Sequence, residues 1–168
     1  MAVSATRPER ITPSLTVQSP LGSEKRGPGL VIVSPAGGSG SGSAGQQQLL
    51  EADAQQTYAR QGYIVAHLKL SPGYNELRIR DELREATEAL DFHDNCSDKS
   101  RYGIIVHDTL AYPSLVEAIN CNGEIKSAVF IGEPSKPCSK SFLSISPEEY
   151  STDATSAQDK ALKYLRGQ

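Results

Sequence analysis

His107 and Asp108 stand directly after an apolar run, Tyr102-Gly103-Ile104-Ile105-Val106, and Thr109 follows them. A run apolar on both sides marks a strand covered on both faces, as in a parallel sheet. The imidazole and the carboxylate then fall at the carboxyl edge of that sheet, where loops converge and ligands collect. An imidazole moves protons near neutral pH, and a carboxylate can hold a water or attack an electrophile. A second unusual stretch, Ser34-Pro35-Ala36-Gly37-Gly38, follows the strand Gly29–Val33 and runs on through Ser39–Gly45 with almost no side chains. Such a loop is flexible and lets the backbone come close to whatever lies beside it. His67 ends another apolar segment, and the carboxylates Glu148 and Glu149 come just after the Ser141–Ile145 segment. Each has a structural alternative: Asp108 is a good helix N-cap, and His107 a hydrogen-bonded packing residue.

The elements that must position these groups follow from periodicity. Strands are expected at 29–33, 63–68, 102–106, 125–131 and 141–145. Helices are expected at 46–61, at 76–92 with Leu77, Ile79, Leu83, Ala86 and Leu90 inward, between residue 108 and Asn120, and at 153–166. Gly62 provides a helix stop. The order strand, helix, strand, helix, strand, helix, strand, strand, helix predicts an α/β fold, a three-layer αβα arrangement around a mostly parallel sheet of five or six strands. Residues 1–28 read as an N-terminal arm containing at most one edge strand, Ile11–Gln18, and residues 29–168 as a single α/β domain. If the strand at 29–33 lies beside both of the next two strands, the Gly/Ser loop and Asp108 share one crevice.

The 168 residues suit one core, and 17 basic against 20 acidic residues give a net charge of −3. Well-mixed charges leave no basic footprint for nucleic acid or anionic lipid. Cys96, Cys121 and Cys138 lack the paired spacing of a zinc or CxxC site, so no metal or cofactor is expected. No segment approaches the roughly 20 apolar residues of a membrane span. A cytoplasmic location is expected.

Val31–Gly38 (VIVSPAGG), Ala59–Ala66 (ARQGYIVA) and Val106–Tyr112 (VHDTLAY) resemble the core of the α/β-hydrolase superfamily, nearest its dienelactone hydrolase and small-esterase branch. The resemblance implies that His107 precedes the nucleophile, that Asp108 is the nucleophile, and that Ala36, Gly37 and Thr109 supply oxyanion donors, with Ser34 and Gly38 in the same ligand-binding loop. Glu148 and Glu149 match the place of the acid. Val106 and Leu110 stand where a tight elbow has small residues, and no histidine follows His107, so the triad is incomplete and the fold is expected to be truncated. His67 would have to reach across the crevice to replace that base.

The implied function is hydrolysis of a small organic ester or lactone. One alternative is a non-catalytic relative kept as a small-molecule-binding or partner subunit, forming a homo-oligomer through an exposed sheet edge. Another is a flavodoxin-like nucleotide binder, since Gly40-Ser41-Gly42-Ser43-Ala44-Gly45 satisfies G-x-G-x-x-G ahead of a helix.

Overall fold

In a computed structural model of the chain, the described residues are 9–12, 15–19, 26–35, 55–71, 73–93, 96–97, 101–107, 114–134 and 137–167. The fold is mixed α/β around one large, mostly parallel sheet. Strands β1 (Glu9–Thr12) and β2 (Leu15–Gln18) form an antiparallel hairpin. The alternating stretch 11–18 is therefore not the single edge strand expected. Strand β1 ends at Thr12 and β2 starts at Leu15, and the sequence between them holds Pro13, which carries no N–H to donate. Strand β2 pairs antiparallel with β4 (Ile64–Leu70), and Leu15 and Val17 are buried in the core.

Strand β3 (Gly27–Pro35) runs parallel between β4 and β6 (Tyr102–His107), with β5 (Cys96–Ser97) pairing only its first two residues. Strands β7 (Ile125–Ile131) and β8 (Ser141–Ile145) extend the parallel sheet beyond β6. The order is β1-β2-β4-β3-β6-β7-β8, eight strands with β5 rather than five or six. The hairpin and the two-residue β5 make the difference. A strand as short as Cys96–Ser97, or one on the far side of a proline, carries too few residues to show a period.

In the central strands β3 and β6 both sets of alternating side chains are buried, which keeps their apolar runs continuous. Leu30 and Ile32 of β3 pack with Ile105, Val129, Tyr58 and Ala59, and with Ala157, Ala161 and Leu162 of helix α5 (Ala154–Arg166). The alternate residues Val31 and Val33 pack with Ile79, Leu83, Ala86 and Leu90 of α2 (Glu76–Asp91), and with Leu115 and Ile119 of α3 (Leu115–Cys121). Each fully buried Leu or Ile contributes roughly 1.5–3 kcal/mol relative to exposure.

Helix α2 begins where Asn75 accepts from the Arg78 N–H at 2.9 Å. Its expected inward face needs one correction, since Leu77 is 69% exposed. Two residues from Ile79 is about 200° of helix rotation, so both cannot face the sheet. Thr87 and Glu82 are buried instead.

Helix α1, described over residues 55–60, stops as expected at Gly62, whose φ of +102° suits glycine. Gly62 N–H donates to Ala59 O at 3.0 Å and Tyr63 N–H to Tyr58 O at 3.2 Å, a Schellman closure. Before α5 stands a short helix not anticipated, α4 (Pro147–Thr152), started by Ser146 accepting from the Glu149 N–H at 3.0 Å and by Pro147 in the first turn. Asp153 ends α4 and caps α5, where the closing helix was expected to begin.

The arrangement that matters for a site is the position of β3. After β3 the chain continues to β4 on one side, and after β6 to β7 on the other, so the strand order reverses between the carboxyl ends of β3 and β6. In open α/β sheets this reversal of strand order opens a crevice.

Candidate functional site

Side chains alternate between faces along a strand. Ser34, His67 and His107 each lie two residues beyond a member of one apolar cluster, namely Ile32, Val65 and Ile105. All three therefore point to the same face of the sheet, toward its carboxyl end. They are buried, with Ser34 at 0%, His67 at 3% and His107 at 2% exposure.

Three polar contacts link this face to the elements around it. Ser34 Oγ lies 2.6 Å from His67 Nε2, and His67 Nδ1 lies 2.9 Å from Gln55 Oε1. Gln55 Nε2 in turn donates to Thr16 Oγ1 of β2 at 3.4 Å, and Thr16 is the cross-strand partner of His67. Because Gln55 presents a carbonyl oxygen, the proton sits on Nδ1, leaving Nε2 to accept from the serine hydroxyl. The sequence hydroxyl, imidazole, oriented acceptor is the order used to activate an oxygen nucleophile.

Burial governs the electrostatics. His67 is pushed down to about 3, first by desolvation and then by Lys69 and His107. Desolvation also holds His107 down, to about 4. Both imidazoles are thus neutral at pH 7 and weak as bases. Burial, with Tyr150 adding to it, raises the Tyr58 phenol far above its ordinary value.

The His107 ring meets the Tyr150 ring edge-on, centroids 5.2 Å apart, and Tyr150 Oη accepts from Gln158 Nε2 at 3.2 Å. Tyr58 Oη and His107 Nε2 have no hydrogen-bond partner among the described residues. An unpaired buried polar atom costs roughly 1–3 kcal/mol. Two on the same face as a Ser–His–Gln relay is a concentration that packing alone does not favour, and such clusters mark functional sites.

Of the residues expected at the site, Ser34 and His107 are brought to one face at adjacent strand ends, one step beyond the Val33–Val106 pair. Ala36, Gly37, Gly38, Asp108 and Thr109 lie outside the described residues, as does Gly40–Gly45. Glu148 and Glu149 occupy the exposed first turn of α4, with Glu149 Oε2 3.5 Å from Lys160 Nζ. Helix α4 reaches the buried cluster through Tyr150 instead.

Gln55 and Tyr150 were not singled out from the sequence. Gln55 precedes Tyr58 and Ala59 at three- and four-residue spacing, which places all three on one buried helix face. Tyr150 shares a short helix with two glutamates whose charge dominates the segment.

The relay has a measurable energetic consequence. Gln55→Leu leaves the His67 Nδ1–H without its acceptor in a desolvated place, with an expected loss of about 1–3 kcal/mol. Urea denaturation of the variant checks this, and a change of only a few tenths would show that the contact carries no stability.

Cys96, Cys121 and Cys138 are free thiols. Among the described residues no three His, Cys, Asp or Glu side chains are grouped to hold a metal ion, and no helix is long and apolar enough to cross a membrane. Comparison with protein-family models and with curated proteins gives no match.

Proposed function

We propose that the protein is an α/β-hydrolase-like protein, with helix layers on both faces of its sheet, that acts on a small organic ester or lactone held outside the carboxyl ends of β3 and β6. The observation that carries this reading is the placement of Ser34 and His107 at the ends of two adjacent parallel strands, on one face, where the strand order reverses. The small-residue loop and Asp108 continue directly from these two ends in the sequence. In this reading Asp108 takes a proton from a water that attacks the acyl carbon, and passes it to the alkoxide oxygen that leaves as the acyl C–O bond breaks. Backbone N–H groups of the loop receive the oxyanion. The Gln55–His67–Ser34 relay and the His107–Tyr150 contact hold the two strand ends in place.

General-base assistance contributes roughly 10²–10⁴-fold to a rate. Asp108→Asn is therefore expected to lower the hydrolysis of p-nitrophenyl acetate by the full chain at least tenfold, with the thermal midpoint unchanged. Equal rates for parent and variant overturn the catalytic reading.

One set of observations favours a binding protein without turnover. Ser34 is fully buried, both imidazoles are held neutral, and Glu149 faces Lys160 at the surface. A lactone that raises the thermal midpoint saturably, yet is recovered intact, would establish that reading.

A further inference from the structure

The opposite edge of the sheet carries a site of different chemistry. Around the amino ends of β3, β6 and β7 lies a cavity of about 380 Å³, within the range of small-molecule pockets. Three cations line it: Arg101 just ahead of β6, Lys126 in β7 and Arg166 in the last turn of α5. No carboxylate is among the lining residues. None of the three cations has an ion-pair partner among the described residues, whereas Arg78, Arg80, Arg84, Lys160 and Lys163 each face an Asp or Glu. This convergence of positive charge stands out in a chain of net charge −3.

The backbone contributes to the placement. Tyr102 pairs with Ile125 but Gly103 with Ser127, so Lys126 is an extra residue without a partner across the ladder. Such a bulge re-aims a side chain that regular pairing would place elsewhere. It leaves Lys126 exposed in a strand otherwise buried. Arg166 is held over the Tyr63 ring, 5.7 Å from its centroid, by a cation–π contact. Ser127, only 4% exposed, also lines the cavity, as do Leu30 and Leu165.

We propose that this cavity binds a small phosphorylated organic anion. Its phosphate oxygens face Arg101, Lys126 and Arg166, and its organic part lies against Leu30, Leu165 and Tyr63. Guanidinium forks match phosphate oxygens in pairs, and three unpaired cations favour a multiply charged group over a single carboxylate. The site is independent of the proposed ester site. Gly29 and Ser34 are separated along β3 by about 16 Å of extended chain.

The test is calorimetric titration of the full chain with inorganic pyrophosphate at 0.15 M salt. The expected result is saturable binding that weakens about tenfold in each of Lys126→Ala and Arg101→Ala and is lost when all three cations are replaced. These side chains are exposed, so the unliganded variants should keep the parent's thermal midpoint. A variant that does not is replaced by its glutamine counterpart, with the same loss of affinity expected. Absence of saturable binding, equal affinity in parent and variants, or equal competition by chloride at matched ionic strength would overturn the proposal.

Discussion

Unfolding free energy should stay level from pH 8 to about 7 and then fall steeply as the pH drops toward 4, by on the order of 5 kcal/mol. The cause is the pair of imidazoles on one buried face. In the unfolded chain His67 and His107 take up protons near the ordinary pH of about 6.5. In the folded protein burial holds them down to about 3 and about 4. Between these limits the unfolded state binds more protons, so acid favours it. The stability is fully present above the unfolded value and is lost as the pH falls toward the folded values.

A loss of that size is comparable to the whole stability of an ordinary domain, about 5–15 kcal/mol. The interval from pH 6.5 to 5 belongs mainly to histidine, because free carboxylates titrate lower. Urea denaturation across that interval is the measurement, with His107→Phe expected to reduce the slope. A flat profile through it would mean that the folded protein accepts these protons, and the desolvated cluster would have to be abandoned.

The second large effect is steric. Gly27→Ala should cost at least about 3 kcal/mol or prevent folding, more than a surface substitution ordinarily does. A Cβ on Gly27 would stand 1.8 Å from the carbonyl oxygen of Gly62. That oxygen belongs to backbone, and Gly62 is itself at a φ of +102° as the stop of α1, so neither chain can yield without undoing the Schellman closure. Gly73→Ala is the control, since nothing lies within 4 Å of its added Cβ. If thermal unfolding shows the two variants alike, the close approach of β3 to the α1–β4 turn is not as described.

The central parallel strands were legible because Leu30–Val33 and Ile104–Val106 are buried throughout and keep their apolar runs unbroken. Ile125–Ile131 and Ser141–Ile145 have the bounds expected of them. Gly62 was legible as a helix stop because only backbone freedom decides it. The hairpin was not, since a four-residue strand beside a proline shows one or two alternations at most, too few to count. Neither was α4, whose six residues are too few to show a helical period. Leu77 was misplaced because hydrophobicity was followed where helix rotation should have ruled.

For the site, the residue types at strand ends pointed to Ser34 and His107, but not to what touches them. Residue order alone determined the alternation of strands and helices and the polar groups near the carboxyl ends of β3 and β6. Those follow from periods of two and 3.6, which are local rules. Only the tertiary structure joined Ser34 to His67 across 33 positions, turned Gln55 onto that imidazole and Thr16 onto Gln55, set Tyr150 against His107, and gathered Arg101, Lys126 and Arg166 around one cavity. Contacts between distant segments depend on register, on a single bulge and on which helix face is buried, and none of these leaves a repeating mark in the chain.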